Sequence, residues 1–173
     1  MNEIAAVILV ILIGCLVLAT AYFLLKLFFN NERTQRAWEY KTQNMKITTP
    51  LRLQAFERMI LFLERLAPNS LIMRLQIQNM NARQLQMEML ALIRAEFEHN
   101  LAQQLYISNQ AWDVISSAKE NVIKLINLSA EEIDANAPSM ELSQKIVSQW
   151  INLNPTPVRA AVDFLKSEAT QLF

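Results

Sequence analysis

Glycine is nearly absent from this sequence, which contains one glycine, Gly14, in 173 residues. Glycine supplies the backbone conformations of phosphate-binding loops, dinucleotide-binding turns and tight β-hairpins. The chain has no material for these features, so an all-β fold and a glycine-rich nucleotide site are excluded. We therefore expect an all-α protein.

Cysteine and histidine are equally scarce, with one of each. One cysteine cannot form an internal disulfide, and one histidine with one cysteine cannot supply the four ligands of a structural zinc site. Cys15 lies in an apolar run, where the thiolate is disfavoured. No serine has the flanking glycines of a nucleophile elbow. The sequence therefore predicts no catalytic residues, no cofactor and no enzyme.

Charge is balanced overall but not along the chain. Lys and Arg number 16, as do Asp and Glu. Residues 26–94 carry 11 basic and 5 acidic side chains, whereas residues 95–173 carry 5 and 10. A neutral soluble part does not favour nucleic acid as a partner, and no small-molecule substrate is indicated. The basic half either faces anionic lipid or pairs internally with the acidic half.

The segment from Ile4 to Leu25 has no charged side chain. As a helix it is about 33 Å long, which is enough to cross a hydrocarbon core of about 30 Å. A cleaved signal peptide is one alternative, since Ala19-Thr20-Ala21 resembles a cleavage site, but no basic residue precedes the run and the run is too long. A buried core helix is a second alternative, although such a helix usually carries a polar stripe.

The residues flanking this run predict its orientation. Only Glu3 precedes it, whereas five basic residues follow between Lys26 and Lys46. Basic residues remain on the cytoplasmic side, so we expect an N-terminus outside and a cytoplasmic C-terminal domain. The predicted membrane-anchor residues are Ile4, Gly14, Cys15, Tyr22, Leu25, Lys26, Phe28 and Phe29.

Three segments are expected: an anchor over residues 1–29, a juxtamembrane stalk over 30–48 and a helical domain over 49–173. The stalk either continues the transmembrane helix or lies on the membrane surface. The domain is long enough to bury its own core, and its apolar spacing predicts a bundle of about five helices.

Helix boundaries in this domain have to be marked by residues other than glycine. Thr49-Pro50 and Thr156-Pro157 each place a hydroxyl cap before a proline at the first helical position. Pro68-Asn69-Ser70 is expected to break the chain, and the alternation in 75–78 is ambiguous between strand and helix. Further helices are predicted over 81–106, after a Ser108 cap, and over 140–153 and 157–173. The helix after Ser108 has a heptad-like seam: Ile115, Ala118, Val122, Leu125 and Ser129.

The helix predicted over 50–66 is apolar on more than one side. A narrow polar stripe suggests heavy burial, either inside the domain or against a partner. The candidate partner surface comprises Leu51, Phe56, Leu61 and Phe62.

Glu96 and His99 are the strongest candidates for metal chemistry. A Glu-x-x-His unit places carboxylate and imidazole on one helix face, as in di-metal carboxylate bundles, which use the unit twice. Since the chain has no second histidine, only a homodimer would complete such a site. The alternative is that His99 is solvated or hydrogen-bonded.

Segments 49–58 (TPLRLQAFER), 61–65 (LFLER), 96–100 (EFEHN) and 103–108 (QQLYIS) resemble a known family. The chain is similar to short single-pass membrane proteins of unassigned function from Bacteroidetes bacteria. The resemblance implies an inner-membrane location and brings no catalytic residues.

These features favour a structural or interaction role. We expect a single helix to anchor a helical domain that contacts one or more inner-membrane proteins or a second copy, as an accessory or scaffold component of a transport, secretion or motor complex. A homodimeric metal-dependent oxidoreductase and an anionic-lipid surface sensor are the alternatives.

Overall fold

Helices make up almost the entire chain in the computed structural model, which describes residues 2–75 and 79–172. These residues form six α-helices and one 3₁₀ helix: α1 (Asn2–Leu66), α2 (Pro68–Arg74), α3 (Ala82–Asn100), the 3₁₀ helix (Leu101–Leu105), α4 (Asn109–Glu131), α5 (Ser139–Ile151) and α6 (Pro157–Leu172). Within the described residues β-type pairing is limited to one isolated bridge between Asn81 and Pro138. The all-α prediction is confirmed, with an apolar N-terminal helix preceding a helical domain.

The helix boundary predicted at Thr49-Pro50 is wrong, because Pro50 lies inside α1. Proline removes one backbone hydrogen bond, but its fixed φ is that of a helix, and helical residues continue on both sides. The chain divides into two compact units, Met1–Thr49 and Pro50–Phe173. The second unit is called the helical domain below.

The expected break at Pro68-Asn69-Ser70 is a change of helix and not a loop. Pro68 is the first residue of α2, a position at which its missing N–H costs nothing. The ambiguous alternation predicted over 75–78 lies for the most part outside the described residues. Asn79 follows with a φ of 70°, in the left-handed region that asparagine tolerates better than most residues.

Side-chain caps begin three of the helices, and two of these caps, Ser108 and Thr156, are predicted from the sequence. At α3, Asn81 accepts a hydrogen bond from the Gln84 backbone at 2.8 Å, and the Gln84 side chain accepts one from the Asn81 backbone at 3.0 Å. Ser108 accepts from the Ala111 backbone at 3.0 Å at the start of α4. Thr156 accepts from the Arg159 backbone at 3.2 Å at the start of α6. These bonds satisfy backbone donors that a helix leaves unpaired.

The core of the helical domain is formed by one face from each α-helix, whereas the 3₁₀ helix contributes no buried residue. In α4 the predicted seam is confirmed except that Ile126 is buried in the place expected for Leu125, which is half-buried. A straight helix of 3.6 residues per turn drifts away from a heptad spacing, which explains that shift. The residues of α1 in the core are Ala55, Phe56, Met59, Phe62, Leu63 and Leu66.

Two long-range hydrogen bonds connect helices of this domain. Arg52 donates from Nε to the Tyr106 carbonyl oxygen at 3.1 Å, which ties α1 to the segment after the 3₁₀ helix. Ser108 donates from Oγ to Glu168 Oε2 at 2.6 Å, which ties the start of α4 to α6. Both contacts join residues more than 50 positions apart, so they fix tertiary packing.

Candidate interaction surfaces of the helical domain

An apolar groove of about 550 Å³ lies between α2 and α5. Its apolar lining is Ile72, Met73, Met140, Val147 and Ile151, and its polar lining is Asn69, Ser143, Gln144 and Ser148. None of these nine side chains is charged. Met73 is 85% exposed, Ile151 72% and Met140 53%. Large apolar side chains left in water along a concave surface are typical of a binding groove.

Helix α5 forms one wall of this groove because it has two apolar stripes. Leu142 and Ile146 point into the core and are fully buried. Met140, Val147 and Ile151 lie on a different side and line the groove. The sequence interpretation missed the groove, although the signal was present: α5 carries more apolar residues than one buried face needs.

A polar network positions α5 against α4. Ser129, which is fully buried, donates to the α4 carbonyl of Leu125 at 2.8 Å and lies 2.7 Å from Gln149 Oε1 on α5. Gln149 donates in turn to Glu132 at 3.2 Å, and Lys145 forms an ion pair with the same carboxylate. The hydrogen bond and positive charge of Lys145 lower the pKa of Glu132. These contacts bind α5 to α4 on the side of α5 that faces away from the groove.

The candidate partner surface on α1 is only partly exposed. Phe56 and Phe62 are each 1% exposed and belong to the core, so their assignment to a partner surface is wrong. Leu51 and Leu61 are 40% and 56% exposed and remain accessible. The four residues split because one side of this helix packs into the core, where Phe62 meets Phe97 of α3, and the spacing of apolar residues did not show which side is covered.

An aromatic cluster explains why Phe62 is buried. Phe62 and Phe97 have ring centroids 5.8 Å apart, and Phe97 stacks on Trp112 at 5.3 Å. The Lys119 ammonium lies 4.0 Å from the centre of the Phe97 ring, a cation–π contact. The cluster joins α1, α3 and α4, and it has the character of a packed core and not of a ligand-stacking platform.

Glu96 is bound by two arginines. Arg65 Nη1 lies 3.3 Å from one carboxylate oxygen, and Arg74 forms an ion pair with the other. Burial by itself raises the pKa of Glu96, but the hydrogen bonds and charges of Arg74 and Arg65 outweigh it, so the pKa lies below its usual value. His99 is exposed in the last turn of α3. The described residues contain no cluster of three His, Cys, Asp or Glu side chains that could hold a metal ion.

The apolar N-terminal part of α1 includes one stretch, Leu12–Phe29, that is long and apolar enough to cross a membrane. None of this stretch is buried within the protein. All of the predicted anchor residues are exposed: Ile4, Gly14, Cys15, Tyr22, Leu25, Lys26, Phe28 and Phe29. At Gly14 an added methyl group would meet no atom within 4 Å. Thr20 donates its hydroxyl to the Val17 carbonyl at 2.9 Å, which satisfies the polar group within the helix.

Residues 2–172 match the model of a family of unknown function (DUF7935), so the chain belongs to that family. No curated protein and no solved structure matches the chain. Family membership assigns no activity and no site residues, and the surfaces described above are the basis for any argument about function.

Proposed function

We propose that this member of a family of unknown function is a membrane-anchored interaction subunit, an accessory or scaffold component of a larger inner-membrane complex. The observation that carries the proposal is the uncharged groove between α2 and α5. Met73 and Ile151 are exposed together along one groove, and a contiguous apolar patch, unlike single exposed apolar residues, is typical of an interaction site. A partner that covers the groove would remove this apolar surface from water.

The anchor is proposed to be the Leu12–Phe29 stretch of α1. Lys26 lies near the end of this stretch, and Arg36, Lys41 and Lys46 follow it. Basic residues at this end would keep the helical domain on the cytoplasmic side. Lys41 lies 5.7 Å from the Trp38 ring centre, and both are exposed, as is expected of residues beside a headgroup layer. The domain would then meet its partners at the cytoplasmic face of the membrane.

The metal-dependent alternative has less support. Both oxygens of Glu96 are engaged by guanidinium groups. A metal ion would have to compete with two permanent positive charges for that carboxylate.

Copurification tests the interaction role. Full-length protein carrying an affinity tag is extracted in mild detergent, and the proteins bound to wild type are compared with those bound to Met73→Glu. We expect the variant to lose its partner, because a charge in an apolar contact is costly to desolvate. Met87→Glu is the matched control, since Met87 is also an exposed methionine, on α3 and outside the groove. Equal partner recovery by both variants would contradict a role for the groove.

Topology is tested separately by cysteine labelling. Lys166→Cys places a thiol on the exposed side of α6 in the helical domain. We expect a membrane-impermeant maleimide to label it only after the membrane is permeabilised. Labelling in intact cells would overturn the proposed orientation, and a mature chain shorter than the full 19.9 kDa would indicate cleavage of the apolar segment.

A further inference from the structure

The exposed stripe of α5 has the spacing of a helix-pairing seam. Met140, Gln144, Val147 and Ile151 follow one another at intervals of four, three and four residues, and all four line the groove. Intervals of three and four place side chains where two helices interlock. This stripe is separate from the Leu142 and Ile146 stripe, which the domain core already occupies.

Met73 provides a side chain that can enter a groove of this kind. It stands on α2 at the groove and is 85% exposed. Methionine is unbranched and adapts to irregular apolar surfaces. In a two-fold symmetric contact the same patch occurs on both subunits, so the Met73 side chain of each copy would reach the groove of the other. The face therefore has both a protruding residue and a space that accepts one.

The charge pattern of the groove also fits a second copy. Near a two-fold axis each residue meets its own counterpart, so a charged residue there would face a like charge. Among the described residues that line the groove, none is charged. The exposed amide of Gln144 has donors and an acceptor, so it can pair with its own copy. A groove that binds a basic or acidic segment of another protein would be expected to carry the opposite charge, and this one carries none.

We propose that a second copy of this chain occupies the groove between α2 and α5, so that the protein forms a two-fold symmetric dimer through Met73, Val147 and Ile151. The inference rests on the proposed function and names its partner. Nine residues line the groove, compared with about 20–30 residues a side in a standard interface. The pairing is therefore one that anchored chains form in the membrane, and it is tested there.

Site-specific photocrosslinking in native membranes provides the test. The photoreactive residue p-benzoylphenylalanine replaces Ser148, an exposed residue of the groove, in the full-length chain. Irradiation is expected to give an adduct of twice the 19.9 kDa chain mass, whose crosslinked peptide comes from α2 or α5 of the same protein. The same photoreactive residue at Met87 is the control and is expected to give no such adduct.

A second substitution checks that the adduct depends on the groove. Ile151→Glu changes a 72% exposed residue at the last position of α5, so the fold tolerates it. It is expected to lower the yield of dimer adduct by about tenfold or more, since tenfold corresponds to a modest loss of association free energy. Met73→Ser is the second variant, expected to act in the same direction without adding charge, and resistance of each variant to limited proteolysis reports that the domain is folded.

The outcomes separate the dimer from the more general proposal. An adduct between Ser148 and a different polypeptide overturns the dimer and leaves the interaction role standing. An adduct that survives both Ile151→Glu and Met73→Ser in folded protein overturns the dimer through this face. Absence of any adduct at Ser148, with the photoreactive residue incorporated, overturns both the dimer and the groove as the interaction site.

Discussion

The carboxylate of Glu96 joins α3 to both α1 and α2, and its replacement by glutamine tests how much this junction stabilises the domain. Arg65 on α1 lies 3.3 Å from one oxygen, and Arg74 on α2 pairs with the other. The Glu96 side chain is 14% exposed, compared with 35% for Arg74 and 55% for Arg65. The Arg74 contact is therefore the better shielded of the two.

The stability that Glu96→Gln should lose can be estimated from this difference in exposure. A hydrogen bond to a charged group contributes about 1.5–3 kcal/mol, whereas an exposed ion pair contributes about 0–1 kcal/mol. Glutamine keeps the shape and one acceptor oxygen but removes the charge. We expect Glu96→Gln to lower the free energy of unfolding by about 1–2 kcal/mol at neutral pH. For a domain of this size a loss of about 1 kcal/mol lowers the thermal unfolding midpoint by about 3–5 °C, so the expected fall is about 3–10 °C.

The effect should depend on pH in a defined direction. The pKa of Glu96 in the folded protein lies below its usual 4.5, because the arginines outweigh the effect of burial. A lowered folded pKa gives stability that is present above the unfolded pKa and is lost as the pH falls through the folded pKa. The difference in free energy of unfolding between wild type and Glu96→Gln should therefore be largest at neutral pH and should shrink as the pH falls below 4.5.

Urea unfolding of full-length protein in nonionic detergent, followed by tryptophan fluorescence, measures this difference. Glu98→Gln is the matched control, since Glu98 is an exposed glutamate two positions along the same helix. It is expected to leave the unfolding midpoint nearly unchanged. If Glu96→Gln is as stable as wild type at neutral pH, or if it loses the same free energy of unfolding at neutral and acid pH, the ion pairs of Glu96 do not stabilise the domain as described.

Three further substitutions test features of the fold by denaturant unfolding. Asn79→Gly should raise the free energy of unfolding by up to about 1 kcal/mol, because glycine adopts a positive φ without steric cost; a loss of stability would contradict this. Ser108→Ala should lower it by about 1–2 kcal/mol by removing the α4 cap and the hydrogen bond to Glu168, whereas Ser117→Ala on the exposed side of α4 should not. Phe62→Ala should lower it by about 3–5 kcal/mol, and an unchanged midpoint would show that Phe62 is not in the core.

Helix starts were predictable where the chemistry that sets them is local. Ser108 and Thr156 accept bonds from backbone groups three residues further on. The sequence contains both partners of such a bond, so no knowledge of the fold is needed. Thr49-Pro50 presents the same pattern and nevertheless lies inside α1. Proline is compatible with both the first turn and a helix interior that accepts one missing bond, so the pattern alone could not decide between them.

The accessible residues on α1 were not predictable for a different reason. Leu51, Phe56, Leu61 and Phe62 are all apolar, and their spacing places them on more than one side of the helix. Burial depends on which helices pack against α1, and Phe62 is covered because the ring of Phe97 on α3 lies 5.8 Å away. That contact joins residues 35 positions apart, so the pattern within 50–66 contains no information about it. Long-range packing of this kind decides which apolar residues remain for a partner.

The energy available from burying the groove explains why interaction through it would depend on the membrane anchor. Full burial of Met73, Met140 and Ile151 would each contribute roughly 1.5–3 kcal/mol. Association from dilute solution costs roughly 4–15 kcal/mol in lost freedom of movement. Three side chains on each of two copies would together contribute at most roughly 9–18 kcal/mol, a range that overlaps this cost. An anchor that confines both copies to one membrane reduces the freedom that remains to be lost, so the same groove would hold a dimer in the membrane and release it in solution.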